Sequence, residues 1–590
     1  MTKQDLSRRA FLGLGAAAAA VAGAGLAGCA PAGKADSAEG ATSGSGATTT
    51  GGDPLTFQPS FMTAPEVPAE VAEEKDCDVV IVGYGLAGSA AAKAAAEEGA
   101  KVIVIEKQDE SNFTVVSMAG DFGVVGSQIQ KDLGIEWAPK EDIINELMKD
   151  MAYRPDPEFL GYWYDHSGED FDWFIEGADY EVLPTTAANQ KTDKPNYIRP
   201  KCFPPLEGYD WHEEYYPYFH GTITTNPNMQ WACQAAQQAA IDTGNVEIMF
   251  ATWGEQLIKG DDGAISGIYV HDMDGKYTKI NCKSVVVTTG DYGNNMEMRQ
   301  YYIPWANEFT SFYGTMDAAG NIGNTGDGHL MCMWAGAKME LGPHAPMTHH
   351  MGGALGVDSY LQLNLRGERF MNEDVPGQNI ADQLTRQPVS DNEEDRAAGV
   401  KSWQIFDSKW PEQIKDMPDG HGYVNHYIPA DEVDKYPTVL AGFGLGYTTD
   451  EMVEQAVTVK ADTIDDLIAQ MGLPAEAAKA SIERYNELCH KGVDEDFGKM
   501  PKRMFPVENP PFYACQFASA GMLVLVGGID CDINMHALDN NDKVIPGLYV
   551  AGNTMGRRFL VEYPVVVAGI SLGTAMSFGR LAGTNAAKGI

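Results

Sequence analysis

The chain lacks the cysteine spacings that hold metals and covalently bound haem. Its 590 residues include nine cysteines, and no two of them form a CxxC pair or a CxxCH motif. Motif-based zinc and iron–sulfur sites use closely spaced cysteines, and c-type haem needs CxxCH. The sequence therefore predicts no metal site, and the scattered cysteines are interpreted as small apolar residues.

Positive charge is also scarce. The chain has 42 lysines and arginines against 83 aspartates and glutamates, which gives a formal net charge of −41 at pH 7. This charge repels the phosphate backbone, so nucleic acid is excluded as a partner. It does not restrict small substrates, because net charge governs solubility and association rather than site chemistry.

A third absence is a hydrophobic run long enough to cross a membrane. The N-terminal run from Leu14 to Ala27 is short and rich in alanine and glycine, whereas a spanning helix needs about 20 apolar residues. It follows Ser7-Arg8-Arg9-Ala10-Phe11-Leu12, a twin-arginine pattern, so residues 1–30 are interpreted as an export signal. We therefore expect an exported protein of the cell envelope.

The same signal contains Leu26-Ala27-Gly28-Cys29, which resembles a bacterial lipobox. Two outcomes stay open: a lipidated Cys29 that anchors the protein on the outer face of the cytoplasmic membrane, or soluble export after cleavage at another site. Residues 31–75 are predicted to be a flexible linker, because the stretch 31–52 is dominated by glycine, alanine, serine and threonine.

The chain does contain a strand, a glycine turn and a helix in close succession. An apolar run at 79–82 leads into Gly83, Gly85 and Gly88 at GxGxxG spacing, and a second apolar run ends at Glu106. This is the order of a dinucleotide-binding βαβ unit, in which the glycines admit a pyrophosphate, the helix start binds it and the acid holds ribose hydroxyls. The alternative is a glycine-rich turn in an ordinary α/β core.

A second apolar strand, at 283–289, ends at the turn of Gly290. Beside the βαβ unit it indicates a two-part FAD site, with this turn near the phosphates and ribose. The loop with small residues near Ser117 to Gly123 would approach the isoalloxazine ring of such a cofactor.

Short motifs then follow one another in a specific order: TGDGH (325–329), GERFMNE (367–373), PPFYA (510–514), IPGLYVAGN (545–553) and SLGTAMSFGRLAG (571–583). Together with GYGLAG (83–88) they resemble the flavin-dependent fumarate reductases, urocanate reductases and 3-ketosteroid Δ1-dehydrogenases. The resemblance covers essentially everything from Asp76 to Gly589.

The resemblance implies an α/β fold. A Rossmann-like FAD-binding domain would be split in sequence into 76–342 and 515–590, with an inserted α+β capping domain at 343–514 and the substrate between flavin and cap. Asn553 replaces the glutamate usual in fumarate reductases and agrees with the ketosteroid dehydrogenase pattern. The predicted FAD-binding residues are Gly83, Gly85, Leu86, Ala87, Gly88, Glu106, Lys107, Ser117, Gly120, Gly290, Asp327, Gly552, Asn553, Ser571 and Leu572.

The chain departs from these relatives where fumarate reductases bind a dicarboxylate. Their proton-donating arginine falls on Gly377, a substrate-binding histidine on Val524, and an arginine near the C-terminus on Val566. A dianion needs fixed cationic donors, or its desolvation goes unmatched. Glycine and valine make a roomier, more apolar pocket. We therefore expect an enone, steroid or aryl enoate as substrate rather than fumarate or succinate.

Tyr563 is the first candidate for the proton donor, because the ketosteroid dehydrogenases place a catalytic tyrosine at the corresponding turn. His344, which matches a family substrate-binding histidine at a shifted offset, is a weaker candidate, as are Arg557, Arg558 and Glu562. Structural alternatives stay open: Tyr563 as a packed aromatic, and the two arginines as surface or phosphate-facing residues.

Three functions are consistent with the sequence. The first is an FAD-dependent reductase of an activated C=C bond in anaerobic respiration, with a small-molecule substrate and electrons from a separate membrane protein or haem or flavin redox protein. The second is a 3-ketosteroid-type CH–CH dehydrogenase, although the family's tyrosine is missing at Gly377. The third is a non-catalytic flavin lipoprotein for electron transfer or ligand binding.

Overall fold

The computed structural model describes residues 59–110, 120–183, 193–200, 210–306, 310–311, 315–352, 359–413 and 458–590. The predicted signal at 1–30, most of the predicted linker at 31–75 and the predicted flavin contact Ser117 lie outside these residues. Among the helices within them, none is long and apolar enough to span a bilayer.

The strands of the described residues are, in chain order, Glu73–Asp76 (β1), Val79–Val82 (β2), Val102–Ile105 (β3), Asp121–Gly123 (β4), Glu181–Val182 (β5), Tyr197–Pro200 (β6), Thr222–Asn226 (β7), Val246–Met249 (β8), Trp253–Lys259 (β9), Ile265–His271 (β10), Tyr277–Asn281 (β11), Ser284–Val287 (β12), Thr310–Ser311 (β13), Pro346–Gly352 (β14), Leu361–Asn364 (β15), Val400–Asp407 (β16), Thr458–Ala461 (β17), Phe512–Leu525 (β18), His536–Leu538 (β19) and Val544–Val550 (β20).

The α-helices of the same residues are Leu86–Glu97 (α1), Gln128–Asp132 (α2), Lys140–Asp150 (α3), Pro157–Phe174 (α4), Gln230–Asp242 (α5), Met296–Tyr302 (α6), Asp327–Trp334 (α7), Gly377–Leu384 (α8), Glu393–Ala397 (α9), Trp410–Gln413 (α10), Ile464–Met471 (α11), Ala475–Lys491 (α12) and Ile570–Lys588 (α13).

The centre of the molecule is a six-stranded sheet in the order β19-β20-β12-β2-β3-β8. The five strands from β20 to β8 run parallel, and only β19 is antiparallel. Every residue of β2, β3 and β12 is buried, because helices and other elements cover both faces of a parallel sheet. The apolar runs that the sequence showed are therefore the buried core of this sheet.

The C-terminal residues complete this domain, although they are far from its start in sequence. Strand β20 pairs with β12, and helix α13 packs along α1. A Cβ atom on Gly579 would lie 2.5 Å from the carbonyl oxygen of Ala87, so glycine is what allows the two helices to approach so closely. The predicted fold class, a Rossmann-like domain split in sequence, is confirmed.

A second mixed sheet, built mainly from the inserted region, has the order β13-β18-β16-β15, with β14 and β17 also paired to β18. Its short edge strand β13 comes from the preceding part of the chain. Thr463 caps the start of helix α11, its hydroxyl accepting from the Asp466 amide at 3.1 Å. Strand β18 is fourteen residues long and belongs to this sheet throughout. The predicted boundary between residues 514 and 515 therefore falls inside one strand of the cap.

Two further four-stranded sheets flank the central one, in the orders β1-β11-β10-β9 and β4-β7-β6-β5. The second of these brings strand β4 to the start of α13, where the Gly123 amide donates to the Gly569 carbonyl at 2.8 Å. It thereby places residues 120–123 beside the C-terminal segment of the domain.

Candidate active site

The glycine turn after β2 is built to receive a phosphate. Gly83 has a φ of +92°, and a Cβ on Gly88 would collide with the Gly83 carbonyl oxygen, so the turn is tight and α1 lies directly on it. A Cβ on Gly85 would meet nothing within 4 Å, and no side chain caps the start of α1, where Leu86 and Ala87 lie. Uncapped amides facing open space at a helix start fit a pyrophosphate.

Glu106 lies at the end of β3, beside this turn. Its carboxylate accepts from the amides of Tyr84 at 2.8 Å and of Gln108 at 2.9 Å, and burial raises its pKa. The next residue, Lys107, forms an ion pair with Asp327 of α7 at 2.9 Å. Three residues assigned to the cofactor from sequence are thus brought to one edge of the sheet.

The second glycine turn meets the C-terminal segment at the same edge. The Gly290 carbonyl accepts from the Thr554 hydroxyl at 3.0 Å, and Gly552, with a φ of +66°, faces the Ala87 side chain. In parallel α/β sheets, ligands bind beyond the carboxyl ends of the strands. The residues present therefore fit an FAD, which Gly83, Gly85, Glu106 and Gly552 would hold at its adenine end.

Gly120, Ser571 and Leu572 lie on another side of the same region. A Cβ on Gly120 would collide with the backbone of Thr225 in β7, and β4, which follows it, contacts α13. Ser571 and Leu572 are in the first turn of α13, whose N-cap residue, Gly569, has no side chain to cap it. The cofactor residues predicted at 120 and 571–572 thus meet at one helix start, and Ser117 is the member of the set on which the structure gives no information.

Tyr563 sits just before this helix and is 3% exposed. Its hydroxyl donates to the Ser571 hydroxyl at 3.0 Å and accepts from the Ser571 amide at 3.4 Å. Burial raises the pKa of Tyr563, so the phenol keeps its proton at neutral pH. A protonated phenol at a helix start can act as a general acid, because the helix dipole stabilises the phenolate that remains.

The ring of Tyr563 packs among apolar side chains. It belongs to one buried cluster with Val566, Val526 and Phe559, and Val524 packs against that cluster. Val524 and Val566 stand where the family's histidine and arginine were expected. Both valines thus belong to, or pack against, the cluster that contains the candidate proton donor Tyr563.

The two arginines after Gly556 have different environments. Arg557 is about one-third exposed and pairs with Asp530, and this hydrogen-bonded partner raises its pKa. Arg558 is 1% exposed and donates to Asn553 Oδ1 at 3.0 Å, Thr574 Oγ1 at 2.9 Å and the Ser571 carbonyl at 3.4 Å. Only Arg558 contacts residues assigned to the flavin.

His344 is fully buried. Its Nδ1 bonds to the Tyr292 hydroxyl, and its Nε2 lies 3.2 Å from the Glu340 carbonyl. Burial lowers the pKa of His344 to about 4, so the ring is neutral. With both ring nitrogens engaged inside the protein, this arrangement leaves His344 without a nitrogen for a substrate.

Three carboxyl groups near Tyr563 carry strongly shifted pKa values. Burial, and then the neighbouring charges of Asp382 and Asp150, raise the pKa of Glu562 to about 8. Burial likewise raises the pKa of Asp150 and of Asp382 to about 6. Sequence reasoning missed the two aspartates. Asp150 did carry a signal, because it is the last residue of α3, where the helix dipole disfavours an acid.

The cap contacts the FAD domain through buried ions. Glu214, which precedes β7, pairs with Lys502 and lies 2.7 Å from Arg503, which in turn pairs with Asp374 at 3.1 Å. Glu214, Arg503 and Asp374 are all buried. This contact, which sequence reasoning also missed, joins residues almost 300 positions apart.

Comparison with known proteins agrees with these features. A family model described as "FAD binding domain" matches residues 78–563. The chain is 27% identical to the vinyl phenol reductase of Lactiplantibacillus plantarum, over 88% of this chain and 98% of the relative. It is 26% identical to a 3-oxosteroid 1-dehydrogenase of Mycolicibacterium smegmatis, over 86% and 96%.

Among solved structures, the open conformation of a flavocytochrome c3 fumarate reductase matches with a TM-score of 0.56 and 23% identity, over 88% of this chain and 79% of that one. The resemblance inferred from the motifs is thereby confirmed, as are the fold and the cofactor. The chain belongs to the FAD binding domain family and is an FAD-dependent oxidoreductase acting on CH–CH groups.

Proposed function

We propose that this enzyme reduces the activated C=C bond of an α,β-unsaturated compound that is larger and less charged than fumarate. The observation that carries the proposal is the pairing of a protonated, buried Tyr563 with an apolar wall that includes Val566 and Val524. An uncharged enone or aryl alkene suits this wall, whereas a dianion would lose its hydration without a matching cation.

The nearby carboxyl groups support the same choice. Asp382 and Asp150 raise the pKa of Glu562, and this accumulation of acidic groups is the opposite of what a site for a dicarboxylate needs. A substrate with two carboxylates would add like charge to this group. The relative named as a vinyl phenol reductase makes a neutral aryl alkene a natural first compound to test.

When bound, FAD would supply the hydride for one carbon of the double bond. Tyr563 donates its proton to the adjacent carbon, so that each carbon of the former C=C bond gains one hydrogen. The resulting phenolate is held by the Ser571 amide and hydroxyl and by the positive end of α13. Two electrons and two protons from outside, one proton for the phenolate and one for the flavin, would then restore the starting state.

The test uses purified, FAD-loaded enzyme with dithionite-reduced viologen as the electron donor. Enones, steroids, vinyl phenols, aryl enoates and fumarate are added in turn, and viologen oxidation is followed by absorbance. We expect oxidation with at least one neutral compound and none above background with fumarate. Faster oxidation with fumarate than with every neutral compound, or no oxidation with any of them, would disprove the proposal.

The reverse reaction is the second candidate. It is favoured by Asn553, which follows the ketosteroid dehydrogenase pattern, and by the relative named 3-oxosteroid 1-dehydrogenase. In that direction a saturated 3-ketosteroid would bleach the oxidised flavin with no added reductant. Bleaching by such a steroid, together with no reduction of any alkene, would replace the first proposal by this one.

We further propose that the enzyme is exported and receives its electrons from a separate membrane protein or haem or flavin redox protein in anaerobic respiration. The twin-arginine pattern at residues 7–12 and the absence of CxxCH support this. Changing Arg8 and Arg9 to lysine should leave the protein in the cytoplasm. In a separate test, Cys29→Ala should release it from the membrane fraction only if Cys29 is lipidated.

A further inference from the structure

Arg558 is a buried cation. Among the residues that the structure describes, no carboxylate forms an ion pair with it, and its three hydrogen bonds end on neutral oxygens of Asn553, Ser571 and Thr574. Within the same described residues, its Nε donates to no acceptor. A buried guanidinium that is neither paired nor fully bonded destabilises the folded protein, because its lost hydration is not replaced.

Its position adds to this cost. The guanidinium bonds to the first turn of α13, a helix of nineteen residues whose start carries a partial positive charge. The other charged and titratable groups around it are Glu340, Tyr563 and Cys531. Burial raises the pKa of Glu340 to about 8, so this carboxyl is mostly protonated at neutral pH and does not cancel the arginine.

The same guanidinium touches the two segments that were assigned to the flavin from sequence, Asn553 and the start of α13. By accepting from Arg558, the oxygen of the Asn553 amide turns its NH2 group away from the arginine. A glutamate at position 553, as in the fumarate reductases, would instead pair with Arg558 and neutralise it. The change to asparagine therefore leaves an uncompensated positive charge at the flavin site.

We propose that Arg558 is a positioning residue whose fixed positive charge stabilises the negatively charged, two-electron-reduced form of the bound flavin and so raises its midpoint potential. Oxidised flavin is neutral, and adding two electrons and one proton makes it an anion. The negative charge of this reduced flavin would balance the positive charge of Arg558 and of the start of α13. The proposal goes beyond the proposed reaction and holds for either direction of it.

The test measures the midpoint potential of the FAD-loaded protein by equilibration with reference dyes, with no substrate present. Arg558→Gln should lower the potential by about 30 mV or more, which for a two-electron couple is a tenfold loss of preference for the reduced flavin. Arg558→Lys and Thr574→Val keep the charge and should stay near the wild-type value.

Arg557→Gln is the matched control. It removes the same charge one residue away, but Asp530 keeps its second partner, Lys338, at 2.9 Å, so the potential should not fall. A potential of Arg558→Gln equal to that of wild type, or an equal fall in Arg557→Gln, would overturn the proposal.

A second measurement needs no variant and decides the matter if Arg558→Gln does not retain FAD. The absorption spectrum of the reduced wild-type protein should be that of the anionic flavin at neutral pH and should remain so at pH values where free reduced flavin is already neutral. The spectrum of the neutral reduced flavin at pH 7 would contradict the assignment. Neither the midpoint potential nor the spectrum depends on which compound the enzyme reduces. A failure of the proposal for Arg558 can therefore be told apart from a failure of the proposed function.

Discussion

At the scale of single residues, Tyr563 carries the sharpest prediction. Tyr563→Phe removes the proton donor and its two hydrogen bonds to Ser571, while the ring stays in its apolar cluster. Loss of a general acid typically costs 10²–10⁴-fold in rate, so we expect kcat to fall by about that factor with FAD absorbance unchanged. Tyr549→Phe, which removes a hydroxyl bonded to the Ile590 carbonyl, is the control and should retain activity. Equal rates for Tyr563→Phe and wild type would assign the proton to another group.

Residues also mark the limit of what sequence reasoning could reach. Gly83, Gly85 and Glu106 were predictable because a glycine turn and a terminal acid act through local geometry. The environment of His344 was not predictable, because its partner Tyr292 lies fifty-two positions upstream. No local sequence feature shows that both ring nitrogens are hydrogen-bonded. The same holds for Asp382, whose shifted pKa depends on burial that only the assembled cap creates.

Glu562 gives a prediction on pH and stability. Its folded pKa of about 8 lies above the usual value of 4.5, so the folded state binds the extra proton between these two pH values. The associated stability is fully present below about pH 4.5 and is lost as the pH rises through 8. Glu562→Gln mimics the protonated form and should raise the thermal midpoint at pH 8 but not at pH 4.

The control for that experiment is Glu483→Gln, on the exposed face of α12, which should show no such pH-dependent gain. A midpoint for Glu562→Gln that is lower than wild type at pH 8 would mean that the carboxylate is stabilised in the folded protein, contrary to the burial seen around it.

At the scale of elements, the contact between α1 and α13 joins the two halves of the FAD domain. A methyl group on Gly579 would meet the Ala87 carbonyl oxygen at 2.5 Å, so Gly579→Ala should push α13 away from the glycine turn. Overpacking of this kind costs about 1–3 kcal/mol. We expect a lower thermal midpoint and weaker FAD binding, measured by flavin fluorescence released on dilution.

Gly161→Ala in α4 makes the same substitution in another helix. Its methyl would meet only the flexible Lys140 side chain, at 3.6 Å, so the variant should be as stable as wild type or gain about 0.5–1 kcal/mol from helix propensity. A stable, FAD-loaded Gly579→Ala would show that the two helices can separate without opening the site.

Helices and strands that depend on local sequence were predictable, whereas those that depend on distant partners were not. The βαβ unit and the α11 cap were predictable, since periodicity and capping residues are written in short stretches. Strand β18 was not predictable, because its length and partners are set by pairing with β14, β16 and β17, whose paired residues lie 51 to 179 positions upstream. The sequence boundary at 514/515 followed the family motifs and not this pairing.

At the scale of the whole molecule, activity depends on how the cap meets the FAD domain. Val524 lies on β18 of the cap sheet, whereas Tyr563 and Val566 precede α13 of the FAD domain. The apolar wall is therefore complete only while the two domains are held together. The buried ions Glu214, Arg503 and Asp374 make that connection.

Glu214→Gln tests this connection. It removes a carboxylate that faces two cations, Lys502 and Arg503, so the cap should open more readily and the substrate should bind less well. We expect KM to rise by roughly tenfold, which corresponds to about 1.4 kcal/mol, with a smaller change in kcat because Tyr563 is untouched. Lys502→Gln removes the outer partner, which is 40% exposed, and an exposed pair contributes only about 0–1 kcal/mol. Equal KM values for the two variants would mean that the buried charges do not hold the cap, and that the apolar wall alone closes the site.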